Sequence, residues 1–511
     1  MKKIINNPED VVMEMCNGIV MAHPELELLK KYKVIKKKEM NNNKVTLISG
    51  GGSGHEPSHA GLVGKGMLDA AVCGDMFASP SQIQVYQAIK ATEGKKGTLL
   101  IIKNYSGDIM NFKNGAHLAS EDGINVEYVR VDDDIAVEDS LYTVGRRGVA
   151  GVVLVHKIAG AAAEEGKDLL EVKAIAEKAV ENVRSIGVAL TSCTLPASGS
   201  PTFKIDEDEM EYGVGIHGEP GIKREKIASA DELAERMVRD LLKDLNIKGE
   251  EIAVLVNGFG GTPLQELYLF NNAVAREFSN RKIKVNRTFV GNYMTSIDMA
   301  GVSLSIMKLD DELKTLLSNK SDAPAFKVDG PVQQVEYAGV EEEKTVKTII
   351  NEETLSIGSF LDSSSMVIME HCGGASGPIW GGAFRAAGKA VGEKRALTVQ
   401  EFSDMLQAVV AGIQDIGERS FGRGAEVGDK TLIDALVPCA DAWKECAEHG
   451  EEMKTAFHKG AEAAVNGAEK TKEIVARMGR AGTVGERSLG HPDAGAHALG
   501  FIFTELAEVL K

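Results

Sequence analysis

Val45-Thr46-Leu47-Ile48-Ser49-Gly50-Gly51-Gly52-Ser53-Gly54-His55-Glu56-Pro57 passes from a β-branched apolar run straight into a glycine-rich loop that ends on a histidine. The run predicts a buried strand, and the loop beyond a strand's C-terminal end is where open α/β sheets place their sites. Similar runs recur at Thr98-Leu99-Leu100-Ile101-Ile102, Val152-Val153-Leu154-Val155 and Ile252-Ala253-Val254-Leu255-Val256. Each is read as a further strand. Helical patterns over Pro80 to Ala91 and Leu170 to Ile186 lie between them, so the first two-thirds of the chain is expected to be an α/β sheet with helices. Lys103-Asn104-Tyr105-Ser106-Gly107-Asp108 also follows a predicted strand directly.

The loop has a counterpart downstream, Gly213-Val214-Gly215-Ile216-His217-Gly218-Glu219-Pro220, which again sets a histidine among glycines beside Glu and Pro. Glycine backbone lets a small ligand or anion come close to main-chain N–H groups, and an imidazole there can act as base, acid or nucleophile near neutral pH. Two such loops point to one pocket with two histidines. Lys103 and Asp108 add a cation and a carboxylate that can orient hydroxyl groups and exchange protons with His55. That set suits a polyol or hydroxycarbonyl ligand. A neutral His217 could attack a carbonyl and hold it covalently, which would select ketones and aldehydes over alcohols. The alternatives are a plain tight turn at His55 and a satisfied structural histidine at His217.

Composition narrows the partner. The chain has 511 residues, more than one core usually supports, so two to four structural units are expected. A formal charge of -17 argues against a nucleic-acid or anionic-membrane surface and for a small molecule. The six cysteines show no CxxC or metal-ligand spacing and read as reduced core thiols. No secretory or bilayer-spanning apolar run is found, and the cytoplasm is the expected compartment.

From about Leu313 the texture changes, through Ser318 to Pro324 and an acidic stretch at Glu341, Glu342 and Glu343. Beyond it, Thr398 to Ile416, Leu432 to His449 and Glu451 to Met478 carry helical spacing, so an all-helical C-terminal part is expected.

The first 325 or so residues resemble the substrate-binding K domain of dihydroxyacetone kinases. The resemblance rests on GGGSGHEP at Gly50 to Pro57, CGDMFASPS at Cys73 to Ser81, KNYSGDIMNF at Lys103 to Phe112, GRRGVAG at Gly145 to Gly151, GIHGEPG at Gly215 to Gly221 and TSIDMAGVSLS at Thr295 to Ser305. It implies that His217 forms a hemiaminal with the ketone carbonyl, that His55 works with Asp108 in proton transfer, and that Gly52, Ser53, Gly54 and Lys103 contact substrate. It also implies a homodimer. GGASGPIWGGAF at Gly373 to Phe384, VGDKTLIDALVP at Val427 to Pro438 and GRAGTVGERSLGHPDAGA at Gly479 to Ala496 resemble the family's helical, ATP-holding L domain. Ala375, Ser376, Gly428, Arg480, Asp493 and Gly495 match nucleotide contacts there, and Arg480 and Lys430 could neutralise phosphate charge. The expected division is residues 1–325 K-like, 326–372 a divergent linker with a cut-down L-domain start, and 373–511 L-like.

One departure stands out. The family's L domain holds two magnesium ions on a trio of aspartates upstream of the GGASG segment, and the corresponding stretch here, Gly330 to Gly339, has no such loop. Phosphoryl transfer relies on metal ions to neutralise phosphate charge. The resemblance therefore implies an ATP-dependent short-ketose kinase needing magnesium whose ligands are not found. Glu336, Glu341, Glu342 and Glu343 could replace them, or form a solvated face. Two other functions use the same pocket: a metal-independent isomerase on a small sugar or sugar phosphate, and a non-catalytic ketose sensor or coactivator.

Overall fold

The computed structural model describes residues 2–138, 144–333, 335–339, 356–478 and 480–509. Contacts divide the chain into two compact units, Met1–Gly339 and Val340–Lys511. The first is mixed α/β and the second helical.

In the first unit, β1 (Leu26–Leu29), β2 (Val34–Lys37), β3 (Thr46–Ser53), β4 (Ala70–Met76), β5 (Thr98–Lys103) and β6 (Val126–Val131) form a six-stranded sheet in the order β1-β2-β4-β3-β5-β6. The central strands β4, β3, β5 and β6 are parallel. A second six-stranded sheet contains β7 (Val183–Ala189), β8 (Glu209–Tyr212), β9 (Lys223–Lys226), β10 (Glu251–Gly258), β11 (Val285–Gly291) and β12 (Gly301–Leu309), ordered β11-β10-β12-β7-β8-β9. Leu47, Leu99 and Ile101 of the first sheet and Ala253, Leu255 and Met307 of the second sit in one buried cluster, so the sheets share a core.

Strands were legible where apolar runs were short, and one such run is a helix instead. Val152-Val155 was expected to be a strand, but α4 covers Val152–Glu164, after α1 (Val11–Ala22), α2 (Gln82–Ala91) and α3 (Ser106–Glu121). The run continues through Ile158 and Ala159 to Ala163, and Val152 through Ala163 are all buried, so the helix has no polar face to reveal its period. The expected helix over Leu170 to Ile186 is too long. It ends as α5 (Leu169–Glu181), begun by an Asp168 capping box, and the chain turns into β7.

The first unit runs past residue 325 because Phe326 and Val328 are buried in its core. In the second unit, helices span Ile357–His371, Ser376–Val391, Val399–Phe421, Ile433–Glu448, Met453–Lys470 and Ala494–Val509. The pattern expected to run to Met478 stops at Lys470. Its core centres on fully buried Trp443, with Phe402 stacked on the indole at 4.2 Å and Phe457 edge-on at 4.8 Å. Five of the six free cysteines are buried. Cys372 is exposed, so the core-thiol reading fails there. Among the described residues no helix is long and apolar enough to cross a membrane.

Candidate active site

β3 carries Gly50 to Ser53 at its C-terminal end and delivers His55 immediately beyond it. The following loop is pinned to the segment after β11: Ile297 N–H donates to Gly54 O at 2.8 Å, and the Thr295 hydroxyl donates to Glu56 O at 2.8 Å. His55 is 1% exposed. Its Nδ1 lies 2.8 Å from the Thr295 carbonyl, which can only accept, so the proton sits on Nδ1. The Phe77 ring stacks on the imidazole at 5.0 Å.

His217 arrives from the loop after β8. Its Nδ1 lies 2.9 Å from Glu219 Oε1, and its backbone N–H donates to Glu219 Oε2 at 2.9 Å. Gly218 makes this bend possible, with φ +77 and a position where a Cβ would lie 2.6 Å from the Thr202 hydroxyl. Tyr105 and Phe77 meet the His217 ring edge-on at 4.8 and 5.0 Å. The imidazole is therefore fixed in plane and tilt. Burial raises the Glu219 carboxyl, but the charge and hydrogen bond of His217 and the charge of Arg147 outweigh it and bring it down to about 2.

The two histidines meet at Nε2, 3.1 Å apart. Both Nδ1 atoms donate outward, so a hydrogen bond between the Nε2 atoms requires one proton shared by the pair. Burial, and then the charges of His217 and Lys103, hold His55 well below the ordinary histidine range. A His55 imidazolium would be a strong acid.

Asp108, in the first turn of α3, and Lys103, the last residue of β5, form a nearly buried ion pair at 3.5 Å. A cavity of about 690 Å³ is lined by Gly52, Phe77, Tyr105, Asp108, His217 and Glu219, among others. His217, Asp108 and Gly52 thus line one cavity, with His55 against His217 and Lys103 against Asp108 just behind that lining. Ser53 and Gly54 are placed differently: Ser53 Oγ donates to Gly74 O at 2.7 Å, and Gly54, whose N–H donates to the Glu56 carboxylate, lines a separate cavity of about 700 Å³.

In the second unit, Gly428 N–H donates to Asp434 Oδ1 at 2.6 Å, and the Asp493 carboxylate caps Ala496 N–H at 2.9 Å. A Cβ on Gly495 would lie 3.2 Å from Asp493 Oδ1. Ala375 and Ser376 open the helix Ser376–Val391. Lys430 does not serve phosphate: its buried ammonium donates to the carbonyls of Ile474, Ser488 and His491. The Arg480 side chain, Gly479 and Glu341 to Glu343 lie outside the described residues.

Sequence reading gave no role to Glu219, Thr295, Tyr105 or Phe77. Glu219, two residues from His217, carried a local signal; Thr295 opens a matched segment, but nothing in the sequence ties it to His55, 240 positions away.

Residues 17–325 match the Dak1 domain family and residues 341–508 the DAK2 domain family. The chain is 52% identical to the PTS-dependent dihydroxyacetone kinase 1, dihydroxyacetone-binding subunit DhaK of Listeria innocua, over 61% of this chain and 95% of that one. It is 34% identical to the putative 3,4-dihydroxy-2-butanone kinase of Solanum lycopersicum, over 100% and 98%. The solved structure of the dihydroxyacetone kinase from C. freundii in complex with AMP-PNP and Mg2+ superposes with a TM-score of 0.68 at 29% identity, covering 99% of each chain. Both halves of the polypeptide carry the match, and the chain belongs to the dihydroxyacetone kinase family.

Proposed function

We propose that this chain is a short-ketose kinase that captures a small hydroxyketone as a hemiaminal on His217 and transfers phosphate to its terminal hydroxyl. The observation that carries the reading is the 3.1 Å contact between His217 Nε2 and His55 Nε2 above a cavity lined by Asp108. The shared proton moves to His55 and frees the His217 Nε2 lone pair. That nitrogen bonds to the carbonyl carbon, the C=O π bond opens, and His55 returns the proton to the new alkoxide. No atom leaves. The alkylated His217 ring keeps its Nδ1 proton and becomes a cation, which the Glu219 carboxylate faces at 2.9 Å. Capture thus exchanges one imidazolium for another beside the same carboxylate, with no net proton uptake.

Lys103 and Gly52 are then suited to hold the captured hydroxyls, and Asp108 to accept the terminal hydroxyl proton as its oxygen attacks the phosphoryl donor. Full-length similarity to the putative 3,4-dihydroxy-2-butanone kinase, and to the dihydroxyacetone kinase solved with AMP-PNP and Mg2+, supports ATP as that donor. Gly428, Asp493 and Gly495, with Ala375 and Ser376, are the residues we assign to the nucleotide. A magnesium pair does not fit the described residues of the second unit. Asp429 is held by both terminal nitrogens of Arg423, Asp434 is bonded to the backbone of Gly428 and Thr431, and no group of three or more His, Cys, Asp or Glu is present among the described residues.

The test is to incubate the protein with dihydroxyacetone, erythrulose, or triose and tetrose phosphates, with and without Mg-ATP, and to follow products by mass spectrometry. ADP and a ketose phosphate formed only with Mg-ATP support the reading. Interconversion without ATP would replace it with isomerisation, and an adduct lost in His217→Ala without turnover would replace it with sensing. Homodimerisation belongs to the same reading and is checked by light scattering.

A further inference from the structure

Behind the pocket, Lys103 is 1% exposed, and its Nζ has three neighbours: Gly50 O at 3.2 Å, Asp108 Oδ2 at 3.5 Å and His59 Nε2 at 3.2 Å. His59 Nδ1 in turn lies 3.0 Å from His156 Nε2, across 97 residues of sequence. The two rings meet edge to face at 5.2 Å, and both are buried. His156 comes from α4, where it and Lys157 are the only ionisable side chains among twelve consecutive buried residues.

We propose that His59 and His156 are positioning residues for Lys103, forming a hydrogen-bond relay of fixed polarity that aims the ammonium at Asp108 and the captured ketose. An ammonium ion-paired to Asp108 donates and never accepts, so His59 Nε2 must present its lone pair. The His59 proton then sits on Nδ1 and is donated to His156 Nε2. That fixes the His156 proton on Nδ1, which has no hydrogen-bond partner among the described residues and is buried. A leucine at position 156 would avoid this unmatched N–H; what the imidazole supplies is an acceptor for His59. Burial and the charge of Lys103 keep both rings uncharged, with His156 brought down to about 3. Neutral acceptors fix one Lys103 proton and Gly50 O a second, leaving the third and the ion's field for Asp108 and the pocket.

The functional half of this inference rests on the ketose-capture reading, whereas the tautomers do not. Nitrogen-15 spectra of the full chain with labelled histidine, assigned with His156→Gln, should show wild-type His59 protonated on Nδ1 and bare on Nε2 at neutral pH. A His59 proton on Nε2 would overturn the inference whatever the ketose does. In adduct titrations with dihydroxyacetone, His156→Leu should raise the half-saturating concentration about tenfold, as expected when the buried His59 N–H loses its acceptor and His59 is no longer held against Lys103, with maximal labelling of His217 unchanged. His156→Gln, whose amide oxygen can accept from His59, should stay within about twofold of wild type. Equal losses in both variants, or none in His156→Leu, would refute the positioning role. A wild type that forms no adduct would refute ketose capture, and the tautomer would still decide the relay.

Discussion

Glu219→Gln isolates the charge that the account places behind the nucleophile. In the adduct His217 is a cation whose Nδ1 proton is donated to Glu219 Oε1 at 2.9 Å, within a loop where Glu219 is only 5% exposed. Glutamine keeps an oxygen for that proton but removes the negative charge. Two limits bracket the cost. Replacing a charge-assisted hydrogen bond with a neutral one loses at least about 1 kcal/mol. The full attraction of unit charges about 4 Å apart at the effective dielectric of a partly buried site is about 4 kcal/mol. The glutamine amide group also faces the His217 backbone N–H, which the carboxylate had accepted at 2.9 Å. In Glu219→Gln the free histidine pair can release its shared proton, whereas the adduct ring keeps its charge, so capture must take up a proton and dihydroxyacetone affinity should fall by between about fivefold and a thousandfold. The assay is titration of the hemiaminal by native mass spectrometry, with circular dichroism to show an intact fold. A folded Glu219→Gln protein binding ketose within about twofold of wild type would refute the charge-pairing argument.

Other consequences are open to measurement. Gly51→Ala places a Cβ 2.4 Å from Lys103 Nζ at a φ of +154, so the melting temperature should fall and the ketose affinity of the folded protein should drop by about tenfold or more; unchanged titration curves would contradict this. His55, His59 and His156 are buried with depressed folded-state pKa values, His156 at about 3. The stability each contributes is fully present above the unfolded histidine value of about 6.5 and is lost as pH falls toward the folded value, by about 1.4 kcal/mol per pH unit. Denaturant unfolding between about pH 6 and pH 4 should show this slope, and His156→Leu should flatten it. Lys157 is pushed down to about 7 by burial and then by Arg287, and its Nζ donates to Leu316 O. Lys157→Met should raise stability near pH 7 by about 1–4 kcal/mol, with the gain shrinking toward pH 10 as the lysine loses its charge in the unfolded chain too. An equal gain at both pH values would show that packing, and not charge burial, is responsible.

Much of the candidate cluster was legible because His55, Lys103 and Asp108 lie at or just beyond strand ends. Apolar runs marked β3 and β5, and residues just beyond such runs, His55 and Asp108, converge by the geometry of a parallel sheet. The support of the cluster was not legible. His55 depends on a carbonyl at Thr295, and His59 meets a histidine in α4 that an apolar run had disguised as a strand. Such pairings are set by how the two sheets share a core, and no local periodicity encodes them. Lys430 was misread for a related reason. A lysine in a glycine-containing loop looks free for phosphate, and only tertiary structure reveals three carbonyls closing around it.

The most direct test is the mass of the complex between the full chain and dihydroxyacetone under non-denaturing conditions. Attack by His217 loses no atoms, so the expected increase equals one whole ketose, absent in His217→Ala and retained in Lys103→Met. An increase short by one water would indicate an imine on a lysine, and its disappearance in Lys103→Met with persistence in His217→Ala would contradict the assignment of His217 as the carbonyl-capturing residue.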